Sequence, residues 1–187
     1  MFSNTKLIMV DLDGTLVDTK DINYHAYKDA LAKHGYEMDY DYFCAYCNGR
    51  HYLDFIPQIV KDESIYTDIH RTKKAIYSSY LKHARVNTFL VNLLKQSKAT
   101  SKVALVTTAS RQNCMELLEH CQLTELFDLV LTREDVEQSK PNPEGFLKTM
   151  AHFGAKAEET VIFEDSSVGM EAALAATTTV YRTYGFN

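Results

Sequence analysis

The sequence has no apolar run approaching membrane-spanning length, no internal repeat, no low-complexity segment and no surplus of positive charge. Its 187 residues carry 20 Lys and Arg against 25 Asp and Glu, a formal net charge of −5. A nucleic-acid partner, which needs a broad basic field, is therefore not expected, and neither is a membrane; an anionic ligand would need a local positive site. Cysteine is also scarce, with four in the chain. Cys44-Ala45-Tyr46-Cys47 has the spacing of half a metal or redox site, but Cys114 and Cys121 share a buried-face helical spacing with Leu117 and Leu118, which leaves that half without a partner. Met1-Phe2-Ser3-Asn4-Thr5-Lys6 leads straight into an apolar strand and shows no targeting signal. The expectation is a soluble, cytoplasmic protein of one domain, or one domain with an insertion, as a monomer or weak homodimer.

What is present is an ordered alternation. Leu7-Ile8-Met9-Val10 reads as a buried strand. From about Lys20 to Arg85 no strand is convincing, whereas Ile22, Ala26, Ala30 and Leu31, and again Ile65, Ile69, Ile76, Tyr80 and Ala84, have helical spacing, with Gly35 as a stop for the first run. After Asn87 the pattern becomes helix, strand Val103 to Thr107, helix to about Cys121, strand Leu129 to Leu131, helix Pro143 to Phe153, strand Val161 to Phe163, helix Ser167 to Ala176 and strand Thr178 to Tyr181. This predicts an α/β fold, a doubly wound parallel sheet formed by residues 1–18 and 87–187 and interrupted by an all-helical insertion at 19–86. Ten of the twelve tyrosines lie between Tyr24 and Tyr80, consistent with helix packing or with a cap presenting phenols to a ligand.

The first strand runs directly into Asp11-Leu12-Asp13-Gly14-Thr15-Leu16-Val17-Asp18-Thr19. Two carboxylates two residues apart at a strand's carboxyl end lie where α/β sheets bind ligands, and Gly14 allows a sharp exit. One carboxylate can attack while the other moves a proton. Three later segments join it: Thr107-Thr108 and Glu164-Asp165-Ser166, which end the strands from Val103 and Val161, and Lys140-Pro141-Asn142-Pro143, a lysine fixed before a helix. In this order the four segments resemble the motifs of the haloacid dehalogenase-like (HAD) hydrolase superfamily. Phe163-Glu164-Asp165-Ser166-Ser167-Val168-Gly169-Met170-Glu171-Ala172-Ala173 is similar to its β-phosphoglucomutase and phosphoglycolate phosphatase branch.

The resemblance implies a HAD-like Rossmannoid core with a helical cap, and a Mg²⁺-dependent phosphatase acting on a small phosphorylated metabolite. Asp11 would be the nucleophile that forms an aspartyl-phosphate, and Asp13 the acid and base. Thr107 and Lys140, with backbone N–H groups of Leu12, Asp13 and Thr108, would hold phosphate oxygens. Asp11, the Asp13 carbonyl and Asp165 would bind the metal, with Glu164 direct or through water; hard oxygen donors suit Mg²⁺. Asn48-Gly49-Arg50 resembles the substrate-specificity loop, in which an arginine reaches a second anionic group, although Arg50 could equally be solvated.

The departures from the family pattern carry information. Asn23 stands where β-phosphoglucomutase has a cap histidine, which favours hydrolysis over phosphosugar transfer. Asp13 argues against dehalogenation. Ala175-Ala176-Thr177 replaces the usual Ala-Gly ending of the last motif and removes a residue suited to left-handed helix termination. The alternatives left open are a phosphosugar mutase and a non-catalytic binding module on the same fold.

Overall fold

The computed structural model describes residues 4–184 and Phe186, so the targeting-signal reading of Met1-Phe2-Ser3 lies outside the described residues. The elements run β1 (Leu7–Val10), β2 (Val17–Asp18), α1 (Lys20–Ala32), α2 (Tyr40–Tyr42), α3 (Tyr52–Ile59), α4 (Tyr66–Ile76), β3 (Arg85–Val86), α5 (Thr88–Ser97), β4 (Lys102–Val106), α6 (Arg111–His120), β5 (Leu129–Leu131), α7 (Glu144–Phe153), β6 (Thr160–Glu164), α8 (Ser167–Ala175) and β7 (Thr179–Arg182). They form two compact units, one made of the residues up to Asp18 with those from Arg85 onward, the other Thr19–Ala84. Among the described residues no helix is long and apolar enough to cross a membrane.

The first unit is a five-stranded sheet in the order β5-β4-β1-β6-β7, and every strand pair in it is parallel. β1 lies at its centre with all four residues inaccessible, which explains the unbroken apolar run: both faces of a parallel sheet are covered. On one face Leu7, Met9, Ala104, Val106 and Ile162 pack against Phe146, Met150, Ala172 and Ala173 of α7 and α8. Strand alternation turns Ile8, Val10, Val103 and Leu105 to the other face. Three helices following strands are capped by side chains already in the connecting loops. Asn87 accepts from Leu90, Ser110 from Asn113 and Ser166 from Gly169, and each such cap satisfies a backbone donor that the helix cannot.

The helical unit leaves and rejoins the first unit through a two-stranded antiparallel ladder that pairs Val17 with Val86 and Asp18 with Arg85, with the Arg85 guanidinium also on the Asp18 carboxylate. The return therefore lies at 84/85 rather than the predicted 86/87, because Arg85 and Val86 belong to that ladder. Within the helical unit, Tyr24, Tyr27, Leu31, Phe43, Phe55 and Ile69 share one core, so these two tyrosines serve packing. The predicted helical run from Ile65 to Ala84 is broken: α4 ends at Ile76 and Tyr77–His83 continues as a 3₁₀ helix. That tighter pitch aligns Tyr77, Tyr80 and His83; Tyr77 turns inward, with its ring 4.9 Å from the buried Lys73 ammonium, and Tyr80 and His83 stack on His25 of α1.

The end of α8 keeps the left-handed geometry although the glycine is missing. Thr177 has φ +58° and its N–H donates to the Leu174 carbonyl at 2.9 Å. A β-branched residue is costly there, by roughly 1–2 kcal/mol, part of which glycine forfeits through its freer unfolded chain. Thr177→Gly is expected to stabilise the fold by about 0.5–1 kcal/mol, read as a higher midpoint in chemical denaturation; an unchanged or lower midpoint would show that the local conformation is not strained.

Candidate active site

The sheet register builds the site. Val10 of β1 is level with Leu105 of β4 and Phe163 of β6, so one residue further on Asp11, Val106 and Glu164 stand side by side at three adjacent strand ends. The Lys140 ammonium closes this row, donating to the Asp11 carboxylate at 2.6 Å, the Glu164 carboxylate at 2.6 Å and the Val106 carbonyl at 3.0 Å. The side chains of Lys140, Asp11 and Glu164 are 7%, 9% and 1% exposed. Burying an ammonium costs several kcal/mol unless paired charges and hydrogen bonds offset it, and here three acceptors do so. Burial by itself would lower the lysine pKa, but Asp11 and Glu164 outweigh it and hold the ammonium above its ordinary value. Burial holds the Asp11 carboxyl well above the usual carboxylate range; Lys140 opposes this and the nearby Glu164 adds to it.

Each remaining carboxylate is held by its own surroundings. The second Glu164 oxygen accepts from the Ser166 backbone N–H at 2.9 Å and the Ser166 hydroxyl at 3.1 Å. The Asp165 carboxylate accepts from the Thr15 hydroxyl at 2.7 Å, and its pKa is raised, chiefly by burial and partly offset by that bond. Two glycines make room: a Cβ on Gly14 would lie 2.3 Å from one Asp165 oxygen, and a Cβ on Gly169 would lie 1.9 Å from Glu164 Oε1. Asp13 is half-buried in the turn after β1, where its backbone bridges to Val17. Thr107 is buried, Thr108 is exposed, and the Thr107 hydroxyl accepts from the Ala109 N–H at 3.0 Å. Val106, Thr107, Thr108, Ser139, Lys140 and Phe146 line one cavity; of the predicted phosphate-holding residues it brings together Thr107, Thr108 and Lys140, while Leu12 is not among those that line it.

Asn23 and Arg50 belong to the helical unit. The Asn23 amide donates to the Thr19 hydroxyl at 3.2 Å, and Arg50 is exposed in the turn before α3. Cys44 is exposed and Cys47 and Cys114 are buried, all as free thiols; burial pushes the Cys114 thiol up to about 12. Sequence reasoning assigned no role to Thr15, Ser166 or Gly169. The Ser166 signal was its place three residues before Gly169, that of a helix cap, and a backbone carbonyl such as that of Val106 leaves no signal at all.

Asp11, Glu164 and Asp165 each offer a carboxylate oxygen within 4.8 Å of the others. Three carboxylates against one ammonium leave an unbalanced negative charge in a largely buried site, and hard oxygen donors suit a small divalent cation. The residues present therefore fit Mg²⁺.

A doubly wound parallel sheet with acidic groups and a lysine gathered at its carboxyl edge defines the class of protein. The family model described as haloacid dehalogenase-like hydrolase matches residues 8–182, and the chain belongs to that family. It is 28% identical over 184 residues to a phosphorylated carbohydrates phosphatase of Thermotoga maritima, covering 95% of this chain and 83% of the relative. It is 30% identical over 169 residues to a pyrophosphatase of Halalkalibacterium halodurans, covering 86% of this chain and 74% of the relative. The crystal structure of a predicted phosphoglycolate phosphatase from Haemophilus somnus 129pt shares the fold, with a TM-score of 0.89 at 22% identity over 100% of this chain and 89% of that one.

The contact between Gly169 and Glu164 yields a direct test. Gly169→Ala is expected to displace the Glu164 carboxylate and with it Lys140, lowering both the thermal midpoint and turnover, whereas Val168→Ala, at a position 44% exposed, should leave both close to wild type. Equal behaviour of the two variants in thermal unfolding and phosphate-release assays would remove Gly169 from the support of the site.

Proposed function

We propose that this protein is a Mg²⁺-dependent phosphatase that hydrolyses a small phosphorylated metabolite through an aspartyl-phosphate on Asp11. The observation that carries this reading is the buried Lys140 ammonium on Asp11 and Glu164, next to Thr107 in one cavity. This arrangement aligns a carboxylate nucleophile and provides positive charge for the oxygens of a phosphoryl group. Similarity to a phosphorylated carbohydrates phosphatase supports the same chemistry and a sugar phosphate as substrate.

In the first half-reaction an Asp11 carboxylate oxygen bonds to phosphorus as the bond to the leaving oxygen breaks, and Asp13 gives that oxygen its proton. In the second, Asp13 takes a proton from water, whose oxygen bonds to phosphorus as the acyl-phosphate bond breaks, releasing phosphate and restoring Asp11. Lys140, with its N–H groups on Asp11, Glu164 and Val106, supplies positive charge beside the phosphoryl oxygens, and the Thr107 hydroxyl and backbone N–H groups of Leu12, Asp13 and Thr108 hold them in place. Mg²⁺, held by Asp11, Asp165 and the Asp13 carbonyl, with Glu164 direct or through water, would supply the charge that lets an anionic carboxylate approach an anionic ester. Asn23 carries no titratable group, which favours hydrolysis over the proton handling of a mutase.

Asp11→Asn keeps the size of the side chain but loses the attacking charge, so turnover of sugar phosphates with Mg²⁺ is expected to vanish while the circular dichroism spectrum is retained. Chelation should likewise silence the wild type, and added Mg²⁺ should restore it. Near-normal phosphate release from either the variant or the verified metal-free enzyme would sink the reading.

The proton role of Asp13 predicts a dependence on the leaving group. Asp13→Asn should slow an alkyl phosphate by about 10²–10⁴-fold, the usual worth of a positioned acid, and p-nitrophenyl phosphate much less, because its phenolate leaves without a proton. Equal losses under conditions where chemistry limits both substrates would assign Asp13 another role.

A further inference from the structure

Beyond β7 the sheet makes one more connection. The register of β6 and β7 ends at Glu164 with Arg182, yet the Thr183 N–H still donates to the Glu164 carbonyl at 2.7 Å. That bond fixes Thr183 beside the residue that precedes Asp165. Its hydroxyl lies 3.3 Å from the Thr15 hydroxyl, which itself donates to Asp165 at 2.7 Å. The direction of this chain is set by chemistry. A carboxylate only accepts, so the single Thr15 proton goes to Asp165, and the Thr15 oxygen is left to accept from Thr183. Thr15 is inaccessible to solvent, so no water competes for that place. Hydrogen bonds in series polarise one another.

We propose that Thr183 is a positioning residue for the cation site, acting through Thr15 to fix the orientation of the Asp165 carboxylate. The proposal rests on the cation-dependent reading given above. Thr183 directly follows the edge strand β7 and belongs to none of the four motifs, and it touches no reacting atom. Its contribution is to keep Thr15 from rotating away from Asp165, so that the carboxylate is already aimed before a cation arrives. Outer partners of this kind tune affinity for the metal and the activity that depends on it.

The test uses the whole protein and Mg²⁺ alone, titrated calorimetrically without phosphate, together with the Mg²⁺ concentration that half-saturates turnover. Thr183→Val removes the donor and keeps the shape and the backbone bond; Thr183→Ser keeps the donor. Thr183→Val is expected to weaken Mg²⁺ binding by about threefold to tenfold, less than the roughly 10–100-fold of a direct outer partner, with Thr183→Ser within about twofold of wild type. The melting temperature in chelator should not change. Asp165→Asn serves as the control for the parent reading. If it weakens Mg²⁺ binding and Thr183→Val does not, the role of Thr183 is overturned and the site stands; if Asp165→Asn has no effect, both fall. Equal losses in the Val and Ser variants, accompanied by a lower melting temperature in chelator, would make Thr183 merely structural and overturn the proposal.

Discussion

A buried ammonium is the constraint on which the rest of the site depends. The Lys140 side chain is 7% exposed, so its charge must be met inside the protein, and the acceptors lie at the ends of three different strands. Those strands must be neighbours and must end at the same level, a condition that the order β4-β1-β6 and the common register of Val10, Leu105 and Phe163 satisfy. A slip of one residue in either pairing would turn Asp11 or Glu164 to the opposite face and strand the lysine without a partner. The lysine's solvation and the register of the central sheet are therefore a single requirement.

Much of this could be read from the sequence, for an identifiable reason. In a parallel sheet covered on both faces, strands are short apolar runs, and polar residues appear where each run stops. Asp11, Thr107 and Asp165 stood out because each follows such a run, and Lys140 because prolines on its far side set the start of α7. The resemblance to a known family then gave them roles that spacing alone could not. The failures have an equally physical origin. The break at Tyr77 was hidden because an apolar period of three or four residues fits both an α-helix and a 3₁₀ segment. The return strand at Arg85 is two residues long, too short to show any period. Thr183 carried no signal, since a threonine in a terminal segment acquires meaning only once β7 has placed it beside Glu164.

Thr177 shows how local preference and tertiary demand are resolved. The sequence at the end of α8 lacks the glycine that would take left-handed angles easily, yet the chain adopts those angles there. The next strand, β7, must begin two residues later and pair with β6 from Val161 onward, so the reversal has no room to be spread over a longer loop. Tertiary geometry prevails over a local preference of about 1–2 kcal/mol because losing the edge strand would also break its ladder to β6 and the bond from Thr183 to Glu164.

Glu164 and Asp165 are adjacent in sequence and are both acidic, but the structure gives them different surroundings. One Glu164 oxygen is engaged by Lys140 and the other by Ser166, and Gly169 lies against it; it is a fixed counter-charge. Asp165 has one oxygen on Thr15 and the other against Gly14, in a position that only a residue without a side chain allows. Each carboxylate thus requires its own glycine, one from the turn after β1 and one from the first turn of α8. The glycine in Asp-x-Asp-Gly-Thr and the glycine in Glu-Asp-Ser-Ser-Val-Gly follow from this. Each leaves the volume that a neighbouring carboxylate needs, and the Gly14–Asp165 pair joins segments 151 residues apart, so the letters of one motif are explained by the contents of another.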